Sequence, residues 1–139
     1  MTAYTSAPRL ASYRAVAAHG GVAAADPHGL ILMLMNGAFE RISAARGCIQ
    51  NKSYAEKARL IHRSVSIVDE LRGCLDLKSG GELAGNLHEL YDYMCRQLLR
   101  ATVENNVELL DEVTRLLHEV RDAWIKMPKN ARPGAPAQR

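Results

Sequence analysis

SGGELAGNLHELYDYMCRQLLRA, residues 79–101, decides the fold. Leu83, Leu87, Leu90, Met94, Leu98 and Ala101 recur every three or four residues, which lays them along one side of an α-helix. A half-buried strand would alternate apolar and polar residues, and no such pattern competes here. Gly80-Gly81 ahead of the stripe suits a turn. Ser79 with Glu82 fits a capping box, in which each side chain satisfies a free amide of the first turn. Asn105-Asn106 breaks the helix at about Glu104.

The same signals recur on both sides. Asp26 can cap free amides and Pro27 suits a first helical turn, so a helix starts there and runs to about Gln50. Ser53 and Glu56 fit a second capping box, opening a helix that reaches about Asp76. A last helix runs to about Met127, where Pro128 stops it. Their stripes are Ile31, Leu34, Ala38, Ile42, Ala45 and Ile49; Tyr54, Ala58, Ile61, Val65, Val68 and Leu75; and Leu110, Val113, Leu117, Val120 and Trp124. Each helix is roughly 30–37 Å long at 1.5 Å per residue. Short turns join them, so the expected fold is all-α, an antiparallel four-helix bundle over residues 26–127. Residues 1–25, rich in Ala and Gly, read as a flexible N-terminal arm. The Pro/Ala/Arg-rich stretch 128–139 reads as a disordered tail.

Composition agrees. A chain of 139 residues is the usual size of one domain. Only 5% of residues are aromatic, so the core rests on aliphatic side chains that favour helices. The net charge of +3 sits at the ends: residues 1–25 hold Arg9 and Arg14, residues 126–139 hold four more bases, and neither end has an acid. The body between them carries 12 bases against all 15 acids, which speaks against nucleic acid as a partner. Cys48, Cys74 and Cys95 are odd in number and form no CxxC pair, as expected of a reducing, cytoplasmic compartment. The longest apolar run, Leu30 to Met35, is far short of a membrane span, so no membrane insertion is expected.

Catalytic chemistry is not legible. A di-iron bundle wants Glu-x-x-His pairs, and no glutamate has a histidine three residues on. His88-Glu89 and His118-Glu119 begin like a zinc-protease motif, but Asp92 and Asp122 occupy the second ligand position. No phosphate loop follows Gly80-Gly81, and His62-Arg63-Ser64-Val65 does not suit a phosphorelay. The expectation is a protein without cofactor or metal that is not an enzyme. Leu90, Met94 and Trp124 read as plain core and the cysteines as inert small side chains.

Apolar surface is left over. Helix two has a second stripe of Leu60, Ile67 and Leu71, and Met33 lies opposite Ile31 on a helix apolar all round. Tyr93 falls about 120° from the core centre of its helix. Tyr91, at the flank, suits core and interface equally. A bundle cannot hide all of these, so either the arm, with Leu10 and Tyr13, or a partner covers them. A homodimer burying the second stripes is the alternative.

Helix three also carries a resemblance. Gly80-Gly81-Glu82-Leu83-Ala84, Asn86-Leu87 and Leu90-Tyr91-Asp92-Tyr93-Met94 resemble the signature of the flagellar secretion chaperone FliS family. Pro27, Leu30, Ile31, Met33, Leu34, Gly37 and Ala38 fit its first helix, Glu70-Leu71 and Leu75-Asp76 its second, Arg121-Asp122-Ala123-Trp124 its last, and Leu10-Ala11-Ser12-Tyr13 its arm. Asp26 replaces the usual Ser but keeps the capping role. Met35 replaces a common aromatic residue, and Met fills irregular pockets. The resemblance implies a helical bundle that binds the disordered C-terminal segment of flagellin, blocks premature polymerisation and helps present it to the export gate without ATP. Candidate partner-binding residues are Leu10, Tyr13, Met33, Leu60, Ile67, Leu71, Tyr91 and Tyr93.

Overall fold

The computed structural model describes residues 26–132. Helix α1 spans Pro27–Gln50, α2 Tyr54–Gly73, α3 Gly81–Glu104 and α4 Val107–Ile125. Among the described residues there is no strand. Helix α1 packs on α2 and α4, and α3 packs on the same two, so the four close a ring around one core. Contacts between opposite ends fix the antiparallel order. The start of α1 meets the end of α4 where His28 Nε2 donates to the Trp124 carbonyl at 2.7 Å. The start of α2 meets the end of α3 where Lys57 Nζ donates to the Thr102 carbonyl, also at 2.7 Å.

The ends explain the boundaries. Asp26 caps α1 as expected, its carboxylate accepting from the Gly29 amide at 2.8 Å. Asn106 caps α4 through the Glu108 amide at 2.9 Å. Neither expected capping box forms: Ser53 makes no side-chain cap, and the cap residue of α3 is Gly80. Glu56 pairs with Arg59 instead. Asp76 takes the Ser79 hydroxyl and the amides of Lys78 and Ser79. A carboxylate two or three residues away outcompetes the weaker box, and the turn it organises ends α2 at Gly73, short of the expected Asp76. Gly81 at φ +61° completes that turn in a conformation that suits glycine. Lys129–Ala131 forms a turn of 3-10 helix, and the Arg132 side chain donates to the Met127 carbonyl at 3.1 Å. Residues 133–139 of the expected tail lie outside the described part.

The core holds most of the expected stripes, with shifts. Met35 is fully buried, and Leu34 moves to the flank. On α3 the inward face is Ala84, Tyr91, Met94, Leu98 and Ala101, while Leu83 is 63% exposed. Tyr54 is exposed, and Lys57 is buried beside it with its ammonium 5.4 Å from the Tyr54 ring centre. Burial is tolerable there because the charge meets the carbonyl end of α3, the negative pole of that helix.

The surplus on α2 is largely absorbed. Leu71 is 1% exposed and belongs to the core, and Leu60 and Ile67 are partly buried against it. Ile67 packs toward α1 beside Gly37, where a Cβ would sit 3.6 Å from the Ile67 Cδ1 atom, in ordinary contact. A helix wedged between two neighbours buries an arc wider than one stripe.

Candidate functional site: a groove between α3 and α4

The first half of α3 and the second half of α4 do not close against each other. Leu83, Leu87 and Leu90 form one wall, and Leu116, Val120, Ala123 and Met127 the other, around a groove of about 260 Å³. Trp124 lines it as well, and Glu119 supplies its charged group. The outer wall is apolar because α3 carries two stripes at once. Ala84 and Tyr91 turn into the core, and the leucines flank them toward α4.

Polar contacts set the limits of the groove. Further along the same seam, Tyr93 donates its hydroxyl to Glu112 at 2.7 Å, and Gln97 donates to the other carboxylate oxygen at 3.0 Å. The Gln97 and Tyr93 hydrogen bonds hold the Glu112 carboxyl below its ordinary range. The same bond raises the Tyr93 phenol, and the Arg96 guanidinium lies 5.7 Å from its ring centre. At the groove floor the Trp124 indole is fixed on three counts. It stacks on His28 at 5.1 Å, its Nε1 donates to the His28 carbonyl at 3.1 Å, and the main-chain carbonyl of Trp124 accepts from the His28 ring. By contrast, the α1–α4 seam is shut. Phe39 stacks on His118 at 4.1 Å, and Arg46 clasps Asp111 through two bonds of 2.8 and 3.0 Å.

The expected partner-binding residues do not converge on this groove. Met33 is 42% exposed on α1, and Tyr93 is half-buried at the polar end of the α3–α4 seam. Leu60 and Ile67 lie on α2, away from it. Leu71 is core, which corrects its expected place on a surplus surface stripe, and Tyr91, for which core and interface were both open, is core as well; burial pushes the Tyr91 phenol well above its ordinary range. Leu10 and Tyr13 lie outside the described residues. Of the groove residues, Leu83, Leu87, Leu90, Val120 and Trp124 belong to stripes that the sequence assigns to the core, and Leu116, Glu119, Ala123 and Met127 fall outside those stripes. The available signal was that Leu83, Leu87 and Leu90 coexist with Ala84 and Tyr91, an apolar arc too wide for one interface.

Side-chain chemistry is sparse. Among the described residues no three His, Cys, Asp or Glu side chains come together as a metal site would need. Burial raises the Cys95 thiol to about 11, which keeps it protonated and unreactive near neutrality. Among the described residues no helix is long and apolar enough to cross a membrane. The arrangement offers apolar contact area and little else.

Comparison with known proteins gives the family. Residues 9–131 match the family described as Flagellar protein FliS. The chain belongs to the FliS family. The flagellar secretion chaperone FliSB of Pseudomonas aeruginosa is 45% identical over 112 residues, covering 81% of this chain and 89% of that protein. The FliS chaperone of Vibrio cholerae is 34% identical over 119 residues, 86% and 88% of the two chains. That of Salmonella typhimurium is 35% identical over 127 residues, 91% and 94%. The open α3–α4 groove is thus a feature of a FliS-family bundle.

Proposed function

We propose that this FliS-family chain is a cytoplasmic export chaperone. It holds the C-terminal segment of unassembled flagellin, prevents premature polymerisation and helps deliver the client to the flagellar export gate. The observation that carries this reading is the α3–α4 groove, about 260 Å³ and lined almost wholly by aliphatic side chains. An amphipathic client helix laid along such a groove buries spaced anchors without any chemistry, a familiar mode of recognition. The names of the curated relatives support the chaperone role. Binding and release by contact alone need neither catalysis nor a cofactor. Met33, Leu60, Ile67 and Tyr93 remain candidate contacts for a client that wraps beyond the groove, as do Leu10 and Tyr13; Leu71 and Tyr91 would act by supporting the surface from beneath.

Leu83→Asp tests the reading because Leu83 is 63% exposed and contributes little to the core. Titration calorimetry with a flagellin C-terminal peptide should show binding to the wild-type protein, weakened about tenfold or more in the variant by a desolvated charge against an apolar partner. The melting temperature should hardly move. Unchanged affinity would place the client elsewhere on the bundle. A groove used for self-association would instead appear as a wild-type dimer in sedimentation that Leu83→Asp converts to monomer.

A further inference from the structure

A smaller recess, partly open at the surface, adjoins the groove. At the same end of the bundle this partly open void of about 40 Å³ is bounded by Ile31 of α1, Leu71 and Cys74 at the end of α2, and Tyr91 of α3. Leu87 and Trp124 line both void and groove, so these two side chains are the partition between them. The void offers water little. A buried water wants two to four polar partners. The Trp124 Nε1 is already committed to the His28 carbonyl, and Ile31, Leu71, Leu75 and Leu87 make most of the remaining lining apolar.

The two halves of the partition differ in freedom. Trp124 is pinned by its stack on His28 and by the reciprocal hydrogen bonds. Leu87 is only partly buried, is not branched at Cβ and has a choice of staggered rotamers on a helix. Beneath it lies space without atoms, where its own contacts are missing.

We propose that Leu87 is the specificity-determining residue of the groove: when a partner segment docks, Leu87 turns its side chain into the void and opens a pocket for one bulky apolar anchor, Leu, Met or Phe. This rests on the groove being the client site. The void makes the step favourable, because the rotated isobutyl group fills this mainly apolar recess while the anchor takes its former place. A small anchor such as Ala gains nothing from the movement. The groove therefore selects segments by the size of a single residue, and His28 acts as a positioning residue by holding Trp124 still as the opposite jaw.

The test uses the full chain and a flagellin C-terminal peptide whose apolar residues are replaced in turn by Ala and by Phe. With wild-type protein, one position should prefer the bulky side chain, by about tenfold over Ala. Leu87→Ile conserves volume but is stiff at χ1, and should erase that preference, bringing the bulky-anchor and Ala peptides to similar affinities in a protein that still melts cooperatively. The Leu87 methyl resonances of the wild-type protein should report a rotamer change on binding, a readout independent of how any variant folds. An unchanged Leu87 rotamer, or a size preference that survives Leu87→Ile in a folded variant, overturns the movable partition while leaving the docking site standing. Failure of the peptide to bind wild-type protein overturns both.

Discussion

Glu112 accepts hydrogen bonds from Gln97 and Tyr93 across the α3–α4 seam, and both favour its charged form. Its folded-state pKa is depressed, so this contribution to stability is fully present above the ordinary glutamate range. It is lost as pH falls through the lower folded value. The site is largely solvated, which screens the effect. Glu112→Gln keeps an acceptor for Tyr93 but cannot be titrated. Denaturation of the two proteins between about pH 6 and pH 3 should show the wild type losing more stability on acidification, since ordinary carboxylates titrate near 4. Parallel curves would mean that the bonds to Glu112 do not persist in solution. Tyr93 also shows what a helical wheel can and cannot reveal. Its angle places it off the core, as found, but not the neighbouring helix that supplies its partner.

At the level of elements, the helices were legible because each has a three-to-four-residue apolar period and a Gly, Pro or Asn stop. Their caps were less so: Ser-x-x-Glu patterns at Ser53 and Ser79 suggested boxes, but whether a box forms depends on competitors such as Asp76 that only the folded turn brings close. The groove was illegible for a related reason. Leu83, Leu87 and Leu90 have core periodicity, and periodicity cannot say whether the facing helix stands near enough to cover them. The α3–α4 connection shows a local rule holding. Asn105 sits in the left-handed region at φ 52°, ψ 44°, ending α3 so that Asn106 can cap α4. A β-branched residue is strained there, so Asn105→Val should cost about 1–2 kcal/mol in urea denaturation, whereas Asn105→Gly should be close to neutral. Equal stability of all three would show that the turn relaxes to another conformation.

Across the whole molecule, a ring of four helices leaves a groove between the first half of α3 and the second half of α4. Residues 1–25 lie outside the described part, but Leu10, Tyr13, Val16 and Val22 space apolar side chains along them. We expect Leu10 and Tyr13 to cover apolar surface of the bundle until a client displaces them, so that the arm competes with the client. If covering is worth about 1–2 kcal/mol, deletion of residues 1–22 should tighten binding of a flagellin C-terminal peptide roughly 5–30-fold, since affinity scales with the fraction of competent protein. The truncated, client-free protein should aggregate more readily through its uncovered apolar surface. Side-by-side titrations of the full chain and the truncated one decide the matter, because the opposite sign is informative. Weaker binding on truncation would make Leu10 and Tyr13 direct client contacts and end the idea of competition.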